Sequence, residues 1–230
     1  MDGILLVDKP TGFTSHDVVA LVRRRLRIDK VGHGGTLDPG ATGLLVLLLG
    51  KATKLSDRVM AGDKTYCGTL RLGSETTTQD AEGEVTATSD PAAVTEAQLR
   101  EAFASLTGDI YQMPPMVSAL KKDGVALYKL ARKGQEVERE ARLVHVFRFD
   151  LLAFGIPDCT IEVKCGKGTY VRTLCHDVGR KIGCLGHLAG LRRTRSGNFS
   201  IDNAITVEQI KKMETSAELR PFLLPMASVL

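Results

Sequence analysis

A glycine-rich loop carries an aspartate that is well placed for chemistry. The loop reads Gly32-His33-Gly34-Gly35-Thr36-Leu37-Asp38-Pro39-Gly40 and ends at Gly43. Asp-Pro-Gly is good turn chemistry, but a turn does not need five glycines, which permit a ligand to approach the backbone closely. Because the loop runs directly into the apolar run Leu44–Leu49, Asp38 is expected at the mouth of the core, where a carboxylate needs a partner to stay ionised. Asp38 is a candidate functional acid, and an ordinary turn is the alternative.

A second loop supplies a candidate partner for this carboxylate. Gly166-Lys167-Gly168-Thr169 precedes a predicted helix that begins with Tyr170 and Arg172. Helix starts bind anions through their backbone N–H groups, and the helix dipole favours acids there. An arginine at this position therefore indicates an anionic partner, either Asp38 or a phosphate. The alternative is a surface arginine at an ordinary helix start.

Two other kinds of site are disfavoured. A Walker A loop needs a glycine separated by four residues from Gly-Lys and a Ser or Thr after it, and neither Gly50-Lys51 nor Gly166-Lys167 has them. The residues that could suggest zinc have spacings that match no zinc knuckle or ribbon: Cys165, Cys175, His176, Cys184 and His187. We expect no metal, and interpret Cys175 and Cys184 as small core hydrophobes.

Composition predicts a globular protein of the cytoplasm. The chain has 230 residues, 43% of them hydrophobic, which gives room for one substantial α/β core and at most a small lobe. Its longest uncharged stretch, Pro39–Gly50, is too short to cross a membrane. The apolar run near the N-terminus is flanked by acids and is too short for a secretory signal. Five cysteines fit a reducing compartment.

The net charge of +4 is unevenly distributed. Basic clusters occur at Arg23–Arg25 with Arg27, at Lys121-Lys122, and at Arg192-Arg193 with Arg195. If the fold gathers them on one face they form a polyanion-binding surface, and otherwise each is a solvated face. With four tyrosines and no tryptophan, any stacking on bases must rest on one or two tyrosines.

The elements that position these residues follow from hydrophobic periodicity and capping signals. Strands are predicted at Ile4–Val7, Leu44–Leu49, Thr65–Leu72, Leu143–Leu152, Thr160–Cys165 and near Leu191. Helices are predicted after a cap at Thr14 or Ser15, over Ala52–Met60, after Thr95, over Tyr170–Ile182 and after Thr206. A polar loop is expected at Ser74–Gly83 and a projecting, mobile segment over 117–142. Because strands and helices alternate without a βαβ rhythm, we predict an α+β fold with a mixed sheet.

Five blocks, in this order, resemble the bacterial TruB family of tRNA pseudouridine synthases over essentially the whole chain. They are Lys9-Pro10-x-Gly12, Gly32 to Leu45, Lys64-Thr65-Tyr66, Lys167 to Leu174, and Leu191-Arg192-Arg193-Thr194. The block Gly-Thr-Leu-Asp-Pro-x-Ala-Thr-Gly is highly specific, whereas Lys-Pro-x-Gly alone is weak. The resemblance implies the pseudouridine synthase fold, a mixed and largely antiparallel central sheet flanked by helices with the active site in a central cleft.

The resemblance also implies a reaction. The enzyme would isomerise the T-loop uridine of tRNA, usually called position 55, by breaking the C1′–N1 bond, turning the uracil and rejoining C1′ to C5. The family needs no ATP, metal or organic cofactor. A non-catalytic tRNA-binding or RNA-folding protein that uses the same cleft is the alternative, although binding alone would not need an acid facing a polyanion.

The resemblance assigns roles residue by residue. Asp38 would be the catalytic carboxylate, which attacks the sugar, attacks the base or removes a ribose proton. Arg172 would pair with Asp38, and Tyr66 would stack on the uracil near C5. The residues that would bind substrate are His33, which would fill the stack vacated by the flipped nucleotide, together with Tyr170, Leu191, Lys9 and Lys64.

The resemblance predicts a domain layout and partners as well. Residues 1–220 would form the catalytic domain, in which 117–142 would be an insert that grips the T-arm of tRNA. Residues 221–230 would be a tail where the family's C-terminal RNA-binding (PUA) domain begins. We expect the chain to lack most or all of that domain. A guide-RNA-dependent relative is therefore disfavoured, because such proteins are expected to depend on it. We expect a monomer whose partner is the tRNA T-arm stem-loop, with no membrane and no metal.

Overall fold

The computed structural model describes residues 1–118, 120–122, 124–131, 133–135 and 137–229. In these ranges the strands are β1 (Gly3–Lys9), β2 (Val31–His33), β3 (Thr42–Leu49), β4 (Lys64–Leu72), β5 (Ser74–Thr76), β6 (Val85–Thr88), β7 (Gly108–Gln112), β8 (Lys121–Lys122), β9 (Val125–Ala126), β10 (Arg142–Ala153), β11 (Asp158–Cys165), β12 (Gly186–Ser196), β13 (Phe199–Ser200), β14 (Ile205–Thr206) and β15 (Leu223–Leu224). The α-helices are α1 (Ser15–Arg25), α2 (Ser56–Ala61), α3 (Glu96–Ser105), α4 (Leu127–Ala131), α5 (Val171–Lys181) and α6 (Val207–Lys212). Short 3₁₀ helices cover Gly50–Leu55, Ile201–Asn203, Ser216–Phe222 and Met226–Val229.

The chain divides into two compact units, and strands β4 and β12 contribute residues to both. The first unit comprises residues 1–67 and 191–230. Its strands lie in the order β14-β1-β3-β12. Strand β1 is antiparallel to β3 and parallel to β14, and β3 is parallel to β12. This mixed pairing places the start of β3, which follows the Asp38 loop, beside the second half of β12.

The central strands of the first unit are buried on both faces, as the unbroken apolar run Leu44–Leu49 predicts. The odd-numbered leucines of the run Leu44–Leu49 pack with the apolar sides of α1 and α6, for example with Val18 and Ile210. Its even-numbered residues pack in a second cluster that contains Val59 of α2 and Phe199. The Asp38 loop therefore emerges from the most completely buried part of this unit.

The second unit comprises residues 68–190. Its main strands lie in the order β4-β11-β10-β7, and β10 is antiparallel to both neighbours. Helix α3 packs on this sheet, where the rings of Phe103 and Phe149 stack with centroids 4.0 Å apart. Together the units confirm the predicted α+β class with a mixed, largely antiparallel sheet flanked by helices.

Most predicted elements are present, with instructive differences. Capping boxes at Thr14 and Thr95 begin α1 and α3 as the sequence indicates. The helix expected over Ala52–Met60 is instead a 3₁₀ segment followed by α2, and the expected loop Ser74–Gly83 contains β5, which pairs with β6. Tertiary contacts decide the structure of these two segments, because neither has a strong hydrophobic periodicity of its own.

Two further observations concern the predicted insert and the membrane. In the segment 117–142 the described residues form the hairpin β8–β9 and helix α4, and the predicted mobility of this segment stays a prediction. The side chains of the basic pair Lys121-Lys122 lie outside the described residues. No helix in the described ranges combines the length and apolarity that crossing a membrane requires.

Candidate active site

The Asp38 loop connects β2 to β3 in the first unit and is tied to the start of α1. Asp38 is exposed, while its neighbour Leu37 is buried. The Leu37 N–H donates to Ser15 Oγ at 2.8 Å, and the Ser15 hydroxyl is 3.1 Å from the Leu37 carbonyl oxygen. Asp38 itself closes a turn in which its carbonyl accepts the Ala41 N–H at 3.1 Å. The carboxylate therefore stands at the surface on a backbone anchored from beneath.

Buried Lys9 supports the loop from the end of β1. Its side chain is fully buried, and its ammonium donates to the carbonyls of Phe13 at 2.6 Å, Pro10 at 3.0 Å and Pro39 at 3.2 Å. Pro39 directly follows Asp38, and its carbonyl also accepts the Gly12 N–H. A buried ammonium is costly unless its protons are donated, so these contacts explain why the Lys-Pro-x-Gly segment packs against the loop.

Arg193 of β12 supports the other side of the loop, and sequence reasoning missed this. It is 1% exposed and donates from Nε to the Leu44 carbonyl at 2.8 Å, with longer contacts to the carbonyls of Gly35 and Thr36. Gly43 makes this approach possible, since a Cβ there would lie 2.3 Å from the Arg193 carbonyl oxygen. The expectation of a surface cluster at Arg192, Arg193 and Arg195 is wrong for Arg193, because its guanidinium is used inside the core.

His33 lies in β2, half-buried, immediately before the loop. Burial lowers the pKa of His33, and the positive charges of Arg193 and His16 lower it further. Its Nδ1 accepts the Gly35 N–H at 3.4 Å, which fits a neutral ring. His33 is therefore an uncharged, partly exposed ring at the end of β2, where the Asp38 loop begins.

Tyr66, Lys64 and Leu191 complete the predicted residues of the first unit. Tyr66 is half-buried in β4. Lys64, in the same strand, is buried, and its ammonium donates to the carbonyls of Met60 and Gly62 at 2.6 Å. Leu191 is half-buried in β12, where its carbonyl accepts the Thr42 hydroxyl at 3.3 Å. Lys64 therefore holds the turn that enters β4, the strand that carries Tyr66.

Tyr170 and Arg172 begin helix α5 in the second unit. Tyr170 is the N-cap, and its backbone is held by Gln112, which accepts its N–H at 2.8 Å and donates to its carbonyl at 3.1 Å. The Arg172 guanidinium lies 5.7 Å from the centre of the Tyr170 ring. It is nearly buried, and its Nη2 donates to the Val117 carbonyl at 2.5 Å.

Asp80 is the second residue that sequence reasoning missed. Its Oδ2 pairs with Arg172 Nη1 at 3.0 Å, and its Oδ1 accepts the Thr78 hydroxyl at 2.5 Å and the Glu82 N–H at 3.1 Å. The only signal available in the sequence was an aspartate after the run Thr76-Thr77-Thr78 in a segment interpreted as a polar loop. Arg172 therefore has an anionic partner, the Asp80 carboxylate, that the sequence did not indicate. The pairing of Arg172 with Asp38 stays a prediction.

The two cysteines interpreted as small core hydrophobes, Cys175 and Cys184, lie in the interior. Burial raises the pKa of each thiol. His187 has its Nδ1 3.1 Å from the Ser74 carbonyl oxygen. Across the described ranges, no group of three or more His, Cys, Asp and Glu side chains has the arrangement of a metal site.

Comparison with known families shows which family the chain belongs to. A model described as "TruB family pseudouridylate synthase (N terminal domain)" matches residues 23–171. The chain belongs to the TruB family. A second model, described as "tRNA pseudouridylate synthase B C-terminal domain", matches residues 172–230.

Curated relatives in the TruB family are similar along nearly the whole chain. A tRNA pseudouridine synthase B of Opitutus terrae is 51% identical over 98% of this chain and 93% of its own length. Those of Syntrophotalea carbinolica and Geobacter sulfurreducens are 52% and 46% identical, over 97% and 100% of this chain and 72% and 76% of their own lengths.

Solved structures agree on the fold. A Cbf5-Nop10-Gar1 complex contains a chain that is 30% identical with a TM-score of 0.77, matched over 99% of this chain and 61% of that one. A chain in an H/ACA RNP bound to a substrate RNA containing 2′-deoxyuridine is 27% identical with a TM-score of 0.73, over 99% and 60%. This TruB family chain spans about three fifths of those longer chains, and the predicted pseudouridine synthase fold is confirmed.

Proposed function

We propose that this protein isomerises a uridine of tRNA to pseudouridine, and specifically the T-loop uridine at position 55. The observation that carries the proposal is the identity of about half over nearly the whole chain to relatives named tRNA pseudouridine synthase B. The chain is accordingly an isomerase of the TruB family. The alternative, a non-catalytic tRNA-binding protein, is not favoured by these relatives.

The reaction balances without an added reagent. The C1′–N1 bond breaks, the uracil turns within the site, and C1′ joins C5. The hydrogen at C5 then leaves as a proton, and N1, released from the sugar, takes up a proton. No electron is gained or lost overall, so the expectation of an enzyme without cofactor or metal is consistent with the stoichiometry.

We assign the catalytic carboxylate to Asp38. Its exposed side chain is accessible to a nucleotide, and the backbone on either side is held by Lys9 at Pro39 and by Arg193 at Gly35 and Thr36. Catalytic groups need such support, because small displacements of a reacting group cost large factors in rate. We therefore propose that Lys9 and Arg193 position the loop, and that Lys64 acts on β4 in the same way, rather than touching substrate.

We propose that Arg172 pairs with Asp38 when the site is formed, and that Asp80 aims the guanidinium. Two of its nitrogens are fixed by Asp80 and by the Val117 carbonyl. A guanidinium forms planar, directed hydrogen bonds with carboxylates, so fixing two nitrogens sets the direction of the third. Tyr170, next to this guanidinium, would line the uracil pocket together with Leu191.

The remaining assignments concern the extruded nucleotide. Taking a base out of a folded loop costs a few kcal/mol, and stacking on a tyrosine recovers about 1–3 kcal/mol. We assign that stacking to Tyr66, close to C5, and the filling of the vacated stack to His33, whose neutral ring suits an apolar stack. In this proposal Asp38 takes part in the breaking and forming of bonds, whereas the rings of Tyr66 and His33 bind the base and fill the stack.

The decisive experiment uses unmodified tRNA labelled with tritium at uracil C5. Release of tritium into water on incubation with the protein, from one uridine in the T-loop, is expected, because that hydrogen is lost in the reaction. Tight binding of the tRNA without release would favour the non-catalytic alternative. Release from a uridine outside the T-loop would contradict the assignment to position 55 and leave the isomerase.

The wider expectations are retained as part of this proposal. They are action on the T-arm in the cytoplasm, where tRNA is found, and a monomer. They also include a catalytic domain over 1–220 with an RNA-gripping insert at 117–142, and a tail at 221–230.

A further inference from the structure

The basic cluster at the end of helix α1 has no role in the site described above. A groove of about 660 Å³ lies beside this helix in the first unit. It is lined by Phe13, Asp17, Ala20, Leu21, Arg24, Arg25 and Arg27. The ammonium of Lys211, from α6, lies 5.4 Å from the centre of the Phe13 ring at the wall of the groove.

The acidic side chains around the groove are engaged in the fold. The Asp17 carboxylate accepts the Thr14 N–H and hydroxyl at 2.8 and 2.7 Å in the capping box of α1. Glu208 pairs with Lys211 at 2.8 Å. The Glu218 carboxylate accepts the N–H groups of Glu214 and Thr215. These carboxylates therefore have assigned structural partners.

Two of the three arginines that line the groove are in the opposite situation, and Arg25 is the exception. The Arg25 Nε donates to the Met213 carbonyl at 3.0 Å. Arg24 and Arg27 are exposed, and neither guanidinium forms a hydrogen bond or ion pair with another residue in the described ranges. The groove therefore presents guanidinium groups that remain available for an anionic partner.

The backbone at Arg27 provides an independent argument. Arg27 has φ +52°, in the left-handed region, and the Ile28 N–H closes the helix end by donating to the Arg23 carbonyl at 3.1 Å. The residue at this position of a helix end is usually glycine, which adopts the conformation without strain. An arginine there carries a backbone cost that its side chain does not recover through contacts in the described ranges, and such cost is typical of functional positions.

The groove is connected to the candidate site along α1. The helix begins at Ser15, which is hydrogen-bonded to Leu37 next to Asp38. Its eleven residues rise about 16 Å at 1.5 Å per residue. The arginines therefore lie about one helix length from the loop that carries the catalytic carboxylate.

We propose that this groove binds backbone phosphates of the bound tRNA at a distance from the reacting uridine. The inference rests on the proposed function for the identity of the RNA. Guanidinium groups bind phosphate through paired, charge-assisted hydrogen bonds, and Arg24 and Arg27 supply them. If the groove instead bound an acidic protein, removing these guanidinium groups would leave the affinity for tRNA unaffected.

The test compares Arg27→Gly and the double variant Arg24→Gln/Arg27→Gly with the unsubstituted protein. Arg27→Gly suits this experiment because glycine fits φ +52°, so the fold is maintained while the charge is removed. Dissociation constants for full-length unmodified tRNA are measured by filter binding at several salt concentrations, and thermal melting is recorded for each variant. The control is Arg100→Gln, which removes one exposed positive charge from α3.

We expect Arg27→Gly to weaken tRNA binding about fivefold or more and to reduce the slope of log K against log salt by about one, with the double variant losing about two. Its melting temperature should be unchanged or higher, and the control should bind normally. Unchanged affinity and slope in both variants, an equal loss in the control, or no tRNA binding by the unsubstituted protein would overturn the proposal. Because this readout is binding, tRNA binding without tritium release would refute the proposed function and still decide the groove.

Discussion

Arg172 and Asp80 form an ion pair with 3.0 Å between Nη1 and Oδ2, and their side chains are only 5% and 15% exposed. The two residues are 92 positions apart in the chain and meet within the second unit. A charge pair with so little water around it is directional, and removing one member leaves the other charge uncompensated. Asp80 therefore determines where the Arg172 guanidinium points.

Asp80→Asn is expected to lower kcat about tenfold to a hundredfold. Losing the partner of a buried charge costs several kcal/mol, and we expect part of this cost to raise the activation barrier, where each 1.4 kcal/mol is about tenfold in rate. The affinity for tRNA should change little. The control is Asp158→Asn, which breaks the exposed pair with Arg71. Single-turnover kinetics and filter binding measure both effects. A wild-type rate in Asp80→Asn would show that Asp80 does not aim Arg172.

Asp38→Asn removes the charge of the proposed catalytic group and keeps its size. Turnover should fall by about a thousandfold or more, whereas tRNA binding should be maintained, because Lys9 and Arg193 hold the backbone of the loop at Pro39, Gly35 and Thr36. Tritium release and filter binding are the measurements, with the exposed Asp57→Asn as the matched control. Retained turnover would remove Asp38 from its role.

Tyr66→Ala removes the ring that is proposed to stack on the uracil. A loss of about 1–3 kcal/mol of stacking corresponds to a fall in kcat/KM of about fivefold to 150-fold. Tyr66→Phe keeps the ring and should keep most of this stacking. A mild effect of Tyr66→Ala, or an equal loss in both variants, would contradict the stacking assignment.

Arg193→Met tests the buried support of the loop through stability. The substitution leaves the carbonyls of Leu44, Gly35 and Thr36 without their guanidinium donors, and buried unsatisfied groups are costly, so the free energy of unfolding should fall by about 3 kcal/mol or more. Arg192→Met, next in the chain but in an exposed pair with Asp8, should cost under about 1 kcal/mol. Urea denaturation measures both, and equal costs would refute the supporting role.

The sequence by itself determined the local secondary structure and the motif that carries Asp38. The unbroken run Leu44–Leu49 predicted a strand buried on both faces, and the capping residues Thr14 and Thr95 predicted where two helices begin. These features depend on neighbours within a few positions, so they can be derived from the chain alone. The motif around Asp38 was specific enough to indicate the family, because its glycines and its Asp-Pro turn are adjacent in sequence.

Only the tertiary structure decided how distant charges are used. Arg193 resembles its exposed neighbours Arg192 and Arg195 in the sequence, yet the pairing of β12 with β3 buries it against carbonyls of the Asp38 loop. Asp80 is one of several polar residues in its segment, and only the fold brings it into an ion pair with Arg172. A side chain's environment in these cases is set by backbone from elsewhere in the chain, and no local pattern of residues encodes which carbonyl or carboxylate a cation will meet.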